Sequence, residues 1–152
     1  MSPEASRVVW ILNGPNLGRL GQREPEVYGS ASYDDLVAAC MSAGEQLGLA
    51  IEVRQTDDEA TYVHWLHEAA DNRVDALVLN PAAWTHTSVA VRDAAAALPA
   101  PYVEVHLSNP LAREEFRHVS YTAANAVGLV AGFGLDSYRL ALNAIAASLA
   151  QM

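Results

Sequence analysis

Short apolar runs that alternate with amphipathic segments are the feature that most restricts the fold of this chain. Five such runs predict strands, at residues 8–12, 50–55, 76–80, 102–106 and 128–133. Apolar residues recur with helical spacing in the segments between and after them, at about 32–48, 59–71, 88–97 and 137–151. Strands that alternate with helices in this way form a parallel sheet with helices on both faces.

We therefore expect residues 1–152 to form a single α/β domain: a flavodoxin-like three-layer sandwich with a five-stranded parallel sheet. Ser32, with Asp35 three residues later, is a capping-box candidate for the first long helix, and Thr87 or Ser88 is a candidate cap for a later one. In sheets of this kind, ligands bind beyond the carboxyl ends of the strands. The polar residues predicted at those ends are Asn13, Asn80 and His106.

Composition narrows the class of protein. The net charge of -9 and the lack of a basic stripe argue against nucleic acid as a partner. The single cysteine, Cys40, falls at a core-facing helical position, so we expect no disulfide framework and a reducing compartment. The longest apolar runs are too short to span a bilayer, and the N-terminus lacks a signal pattern. These features predict a cytoplasmic protein without a membrane partner.

The absence of lysine restricts the chemistry. All nine basic residues other than histidine are arginines. A lysine Schiff base, a phosphate-binding loop lysine and a lysine general base are therefore excluded.

Glu104 and His106 lie two positions apart in a predicted strand and so point to the same face of the sheet. A carboxylate in a strand covered on both sides is costly unless it is paired. Beside an imidazole it selects one tautomer and raises the proton affinity of the ring, which suits a general acid. A purely structural Glu–His pair would leave the same pattern, so both interpretations stay open.

A long connection rich in glycine and proline follows the first predicted strand. It covers about residues 13–29 and includes Asn16, Arg19, Arg23 and Tyr28. Connections of more than about a dozen residues in a compact domain are usually functional or disordered. A nearby guanidinium would lower the pKa of a phenol from its usual value of about 10 and favour a phenolate base. On spacing alone, an ordinary surface loop is the favoured interpretation.

Three further sets of polar residues have both a functional and a structural interpretation. The turn 80–88 places His86 before a helix start, which is suited either to binding an anion or to simple capping. Arg113 and Arg117 would share a helical face, either as ligands of a substrate or as a solvated ion-paired surface. His64 and His67 are three residues apart, but we expect His67 to be a core histidine and predict no metal site.

Taken together, these segments resemble the type II 3-dehydroquinate dehydratases. The resemblance extends from about Val8 to the last helix. It rests on six stretches: NGPNL at 13–17, GQREPEVYG at 21–29, NPAAWTHTSVA at 80–90, RDA at 92–94, EVHLSN at 104–109 and REEFRH at 113–118. Two departures stand out: Gly18-Arg19 where Asn-Leu is commoner, and Ala82-Ala83 where glycine is frequent.

The resemblance implies dehydration of 3-dehydroquinate to 3-dehydroshikimate by anti elimination through an enolate. No cofactor, Schiff base or metal is implied, and the reaction serves shikimate synthesis or quinate breakdown. Tyr28 would be the base, with its pKa lowered by Arg23. Asn16 would stabilise the enolate through a bound water. His106, oriented by Glu104, would protonate the departing hydroxyl.

The resemblance also implies how the substrate is bound and how the chain assembles. Substrate-binding roles fall on six residues: Asn80, Leu107 and Ser108 for the carboxylate and the nearby hydroxyl, His86 and Arg117 for ring hydroxyls, and Asp93 from a neighbouring subunit. The loop at 13–29 would be a catalytic lid. The implied assembly is a homododecamer built as a tetramer of trimers.

Two other classes of protein share this sheet architecture. A flavodoxin-like flavin binder or hydrolase would use the same sheet edge, but the sequence has neither a nucleophile elbow nor an obvious phosphate loop. A receiver-type signalling module needs acidic residues after the first strand and an aspartate after the third, where this chain has Asn13 and Asn80.

Overall fold

The computed structural model describes residues 5–22, 25–28 and 30–151, and of residues 25 and 28 it describes only the backbone. The strands are β1 (Arg7–Asn13), β2 (Leu49–Gln55), β3 (Ala76–Asn80), β4 (Tyr102–His106) and β5 (Gly128–Ala131). The α-helices are α1 (Pro25–Tyr28), α2 (Tyr33–Leu47), α3 (Glu59–Asp71), α4 (Val89–Ala96) and α5 (Asp136–Leu149). Short 3-10 turns occupy Leu17–Arg19, Ala82–His86, Pro110–Ala112, Glu115–Arg117 and Ala123–Asn125.

The five strands form one parallel sheet in the order β2-β1-β3-β4-β5. Helices α2 and α5 pack together on one face, and α3 and α4 pack together on the other. Each face has its own apolar core, one around Ile11, Val78 and Leu142, the other around Leu12, Leu79 and Leu66. The predicted flavodoxin-like α/β sandwich is therefore confirmed.

Local sequence signals place several helix ends. Ser32 Oγ accepts from Asp35 N at 3.1 Å and Asp35 Oδ2 accepts from Ser32 N at 2.9 Å, so the capping box forms as predicted. Ser88 Oγ accepts from Val91 N at 2.9 Å and caps α4, which decides between the two candidate caps. Cys40 is fully buried, as its helical position predicted.

Two predictions from periodicity are wrong in detail. The predicted strand at 128–133 ends at Ala131, because Gly132 has a φ of +96° and leaves the extended conformation. His67 is exposed and is not a core histidine. The buried positions of α3 are Tyr62, Leu66 and Ala69, so the apolar face is rotated by roughly one residue from the predicted one.

Candidate active site

The site lies at the carboxyl edge of the sheet, where the strand order reverses between β1 and β3. Asn13 and Asn80 are register partners at the ends of these strands, and His106 ends β4. All three residues are buried. This edge is the usual ligand position in doubly wound sheets, because the connections on either side diverge and leave a crevice.

A pocket opens above this edge and gathers most of the residues predicted for the site. Its lining consists of Pro15, Asn16, Leu17, Asn80, Ala82, Ala83, His86, His106, Leu107, Ser108, Pro110, Arg113 and Arg117. Arg113 and Arg117 are the charged residues of this lining, and none of the described lining residues is acidic. In a chain with a net charge of -9, this local excess of positive charge favours an anionic ligand.

Glu104 and His106 form a buried pair below the pocket. Glu104 is fully buried, and its Oε2 lies 2.9 Å from His106 Nε2. An ionised carboxylate can only accept, so Nε2 carries the proton and Nδ1 is left for the ligand. When the ring is protonated, Nδ1 becomes a donor as well. The strand spacing thus predicted this contact correctly.

Two hydroxyls complete the surroundings of Glu104. Ser120 Oγ lies 2.8 Å from Oε2 and 3.0 Å from Oε1, and Thr122 Oγ1 donates to Oε1. Burial by itself raises the pKa of Glu104. The hydrogen bond and charge of His106, together with the hydroxyls of Thr122 and Ser120, outweigh burial and lower that pKa below its ordinary value. The carboxylate is thus ionised at neutral pH.

His86 stacks on His106 across the pocket, with ring centroids 6.3 Å apart and planes at 21°. Its Nδ1 donates to the carbonyl of Val119 at 2.8 Å, which leaves Nε2 as an acceptor in the neutral ring. Burial lowers the pKa of His86, and the nearby charges of His106 and Arg117 lower it further, against the hydrogen bond to Val119. A neutral His86 is suited to accept a hydrogen bond from a ligand hydroxyl.

Asn80 is held in one orientation from two sides. Its Nδ2 donates to the hydroxyl of Tyr138 at 2.8 Å, and its Oδ1 accepts from the backbone N–H of Ala82 at 3.1 Å. The Tyr138 hydroxyl in turn donates to Asn13 Oδ1 at 2.6 Å. Each Nδ2 has two hydrogens, so Asn80 keeps one donor for a ligand.

The turn after β3 approaches the chain after β1 very closely. A Cβ on Gly14 would lie 2.5 Å from the carbonyl oxygen of Pro81, so only glycine fits there. Gly14 N donates to the carbonyl of Asn80 at 2.8 Å, which joins the two segments. Ala82 has a φ of +53°, a conformation in which an L side chain is strained.

The start of the 13–29 loop is anchored, not free. Asn16 has a φ of +70°, and its backbone N–H donates to Asp57 Oδ1 at 2.8 Å. Leu17 and Leu20 are buried in the core under the loop. Of the catalytic pair predicted for this loop, Arg23 lies outside the described residues, and so does the side chain of Tyr28.

The remaining predicted binding residues divide between the pocket and the outer surface. Leu107, Ser108 and Arg117 line the pocket, and Arg117 Nε donates to Glu114 Oε2 at 2.8 Å. Asp93 does not line the pocket of its own chain. It is exposed on α4, and its Oδ1 pairs with Arg92 at 2.8 Å.

No group of three or more His, Cys, Asp or Glu side chains is placed to hold a metal ion in the described part of the chain. None of the helices over that same part has both the length and the apolarity needed to cross a membrane.

Comparison with known proteins decides the family. The model of the family described as dehydroquinase class II matches residues 7–146. The chain belongs to this family. It is 60% identical over 139 residues to the 3-dehydroquinate dehydratase of Salinispora tropica, covering 91% of this chain and 96% of that one. It is 51% identical to the 3-dehydroquinate dehydratase 2 of Pseudomonas aeruginosa, over 90% of this chain and 92% of that one.

The crystal structure of the type II dehydroquinase from Propionibacterium acnes superposes with a TM-score of 0.90 at 51% identity, covering 95% of this chain and 99% of that one. Membership of the class II dehydroquinases confirms the resemblance and the enzyme class predicted from the motifs. Sequence reasoning missed Ser120, Thr122 and Tyr138. The need of a buried Glu104 for donors pointed to partners such as Ser120 and Thr122 without saying which residues supply them, and no signal pointed to Tyr138, which binds Asn80 and Asn13.

Proposed function

We propose that this protein converts 3-dehydroquinate to 3-dehydroshikimate by anti elimination through an enolate, without a Schiff base or a metal. The observation that carries the proposal is the buried Glu104–His106 pair facing a basic pocket in a chain of the class II dehydroquinase family. The pocket offers one proton donor, oriented amides and cationic side chains, as a substrate that bears a carboxylate and several hydroxyls requires.

The first step is removal of a proton from the carbon next to the ketone. That proton is weakly acidic, so a strong base and stabilisation of the enolate are both required. We assign the base to the Tyr28 phenolate, with Arg23 lowering the phenol pKa, and enolate stabilisation to Asn16 through a bound water. The pocket position of Asn16 supports its part of this assignment. The C–H electron pair passes into the enolate.

The second step is loss of the hydroxyl on the adjoining carbon. The enolate carbonyl re-forms, the C–O bond breaks, and the leaving oxygen takes a proton from His106, so that water departs and a conjugated enone remains. Glu104 supports this role because its negative charge stabilises the imidazolium and directs Nδ1 toward the pocket. The proton balance is closed when His106 regains a proton and Tyr28 loses one to solvent.

Substrate binding is assigned to the other pocket residues. Asn80 keeps a free amide hydrogen for the substrate carboxylate, and the backbone N–H groups of Leu107 and Ser108 follow β4 at the same edge. His86 and Arg117 are placed to bind ring hydroxyls, one as an acceptor through Nε2 and the other as a donor.

We extend the proposal to the single domain, its lid and its assembly. The 13–29 loop closes over the pocket, and the chain forms a dodecamer built as a tetramer of trimers, in which Asp93 reaches a neighbouring site. The exposure of Asp93 supports this arrangement, as do the exposed apolar side chains Val127, Leu129 and Phe133. Native mass spectrometry should give twelve times the 16.3 kDa of the chain. A monomeric, fully active protein would contradict the assembly and the role of Asp93.

The direct test is an absorbance assay. Purified protein mixed with 3-dehydroquinate should generate the ultraviolet absorbance of a conjugated enone, unchanged by a chelator or by borohydride. Inactivation by borohydride in the presence of substrate would show a covalent imine and overturn the non-covalent mechanism. Absence of the absorbance change would overturn the proposed reaction.

A matched pair of tyrosine variants tests the base. Tyr28→Phe should lower kcat by at least about 100-fold, the contribution typical of a general base, while substrate binding stays measurable. Tyr121→Phe removes a partly exposed phenol outside the pocket and should leave kcat unchanged. Near-normal turnover by Tyr28→Phe would remove Tyr28 from the mechanism.

A further inference from the structure

The segment from Val119 to Thr122, here called the 119–122 segment, binds one pocket histidine, His86, and the carboxylate partner of the other, Glu104. It has no regular secondary structure and lies between two 3-10 turns. Its Val119 carbonyl accepts from His86 Nδ1 at 2.8 Å, and its Tyr121 N–H donates to the carbonyl of Thr85 at 2.8 Å. Two of its three hydroxyls, those of Ser120 and Thr122, donate to Glu104.

We propose that Ser120 and Thr122 are positioning residues of the reaction: their hydroxyls hold Glu104 as a fixed carboxylate, so that His106 keeps Nε2 on Glu104 and presents Nδ1 to the substrate. This inference rests on the proposed function, and it adds two residues that act through Glu104 without touching the substrate.

The donors around Glu104 fit a carboxylate and not a carboxylic acid. Three donor groups point at two oxygens: His106 Nε2 and Ser120 Oγ at Oε2, and Thr122 Oγ1 at Oε1. An ionised carboxylate can accept all three, whereas a protonated one would have to donate its own hydrogen to one of them. Because Glu104 is fully buried, bulk solvent does not reach its oxygens, and these donors balance the cost of burying the charge.

Two other contacts bear on the direction of the Ser120 hydroxyl. Ser120 Oγ accepts from the backbone N–H of Ala123 at 3.0 Å and lies 3.3 Å from Thr122 Oγ1, so its hydrogen is directed at the shorter contacts with Glu104, at 2.8 and 3.0 Å. Thr122 is also fixed, since it is fully buried and its carbonyl accepts from the hydroxyl of Tyr102. These bonds place both donors before any ligand arrives, so little ordering remains for the reaction step.

Among the described residues, the other titratable groups that act on Glu104 stay neutral around pH 7. They are the phenols of Tyr62 and Tyr102 and the imidazole of His86. Burial raises the pKa of Tyr62 well above 10 and that of Tyr102 to about 12, and burial lowers the pKa of His86. The charges of His106 and Arg117 also lower the pKa of His86, and that of Glu104 raises it. Near neutral pH, the protonation of Glu104 therefore depends on His106 and on the hydrogen bonds from Ser120 and Thr122.

Three variants and one control distinguish the loss of a hydroxyl hydrogen bond from a change in side-chain packing. Thr122→Val removes the hydroxyl at nearly constant shape, Thr122→Ser keeps it, and Ser120→Ala removes the second donor. The control is Thr85→Val, because the buried hydroxyl of Thr85 has no hydrogen-bond partner among the described residues. It reproduces the same substitution in the same region without loss of a bond.

The kinetic readout is the division of the effect between kcat and KM. We expect Thr122→Val and Ser120→Ala to lower kcat about tenfold each, with KM within about twofold. Each variant loses a hydrogen bond to the Glu104 carboxylate, which orients His106 for protonation of the leaving hydroxyl. Thr122→Ser should retain most of kcat, and Thr85→Val should match the wild type. Equal losses in Thr122→Val and Thr122→Ser would overturn the proposal, as would full activity in Thr122→Val and Ser120→Ala.

A second readout does not depend on turnover. With carbon-13-labelled histidine, the NMR signal of the His106 ring should show a low-pH inflection when Glu104 is protonated, and this inflection should move up by about one pH unit in Thr122→Val. An unmoved inflection would overturn the proposal even if the enzyme assay failed. If the wild type does not turn over 3-dehydroquinate but the inflection moves, the proposed reaction is wrong and the positioning role stands. If Thr122→Val does not fold, Ser120→Ala carries both measurements.

Discussion

The amide of Asn80 donates a 2.8 Å hydrogen bond to the hydroxyl of Tyr138, which comes from the last helix of the chain. Both side chains are buried, and the same hydroxyl donates to Asn13 at 2.6 Å. Helix α5 thus fixes the two asparagines that end β1 and β3. The bottom of the pocket is preorganised by a residue that does not line it.

We expect Tyr138→Phe to weaken substrate binding more than chemistry. Without the hydroxyl, Asn80 loses the partner that orients its amide, and KM should rise about tenfold with kcat within about threefold, given that a buried polar group left without its partner costs about 1–3 kcal/mol. Steady-state kinetics measures this division. Tyr62→Phe is the matched control, because Tyr62 is also fully buried and donates to the Leu12 carbonyl at 2.9 Å away from the pocket. A KM rise of the same size in both variants would refute the specific role of Tyr138.

Glu104→Gln should impair catalysis strongly while leaving binding intact. The amide keeps the shape of the side chain but removes the negative charge that stabilises a protonated His106, so kcat should fall about 100-fold or more with little change in KM. A kcat within threefold of the wild type would show that Glu104 is purely structural, which was the other interpretation of the sequence pattern.

The lowered pKa of Glu104 also predicts a dependence of stability on pH. A carboxyl with a folded-state pKa below its unfolded value of 4.5 stabilises the fold above pH 4.5, and this contribution is lost as the pH falls through the folded-state pKa. Thermal unfolding between pH 7 and pH 3 should therefore show a smaller loss of Tm on acidification in Glu104→Gln than in the wild type. Parallel curves for the two proteins would contradict the lowered pKa.

Asp57→Ala should loosen the base of the proposed lid. Asp57 Oδ1 accepts from Asn16 N at 2.8 Å and from Gln55 Nε2 at 3.1 Å, and so holds Asn16 in its left-handed conformation. We expect kcat/KM to fall about tenfold, a loss typical of one hydrogen bond to a charged group. Asp71→Ala, at the exposed end of α3, removes the same charge and should leave kcat/KM unchanged. Equal losses in both variants would indicate an effect of net charge alone.

Ala82→Gly should stabilise the protein, whereas Ala83→Gly should destabilise it. Ala82 has a φ of +53°, which costs an L residue about 1–2 kcal/mol and glycine nothing, so the free energy of unfolding should rise by up to about 1 kcal/mol. Ala83 lies in the same 3-10 turn, and glycine there should cost about 0.5–1 kcal/mol. Chemical denaturation measures both changes. The same sign for both variants would show that backbone strain at Ala82 is not the cause.

Local patterns predicted what depends on near neighbours in sequence. The alternation of strands and helices, the Ser32 capping box and the position of Glu104 beside His106 all follow from spacings of two to four residues. The prediction that His67 is buried was wrong, because the buried face of α3 is rotated by about one residue from the predicted face. Apolar residues border this face on both sides, so the spacing alone did not fix the rotation of the helix.

The sequence by itself determined the α/β layering, the edge at which the site forms and the family. The tertiary structure decided which residues support that site. Ser120 and Thr122 follow Glu104 by 16 and 18 residues, and Tyr138 is 58 residues from Asn80 and 125 from Asn13. Hydrogen bonds of this range require a folded sheet that brings α5 and the 119–122 segment to the ends of β1, β3 and β4, and no local periodicity encodes that proximity.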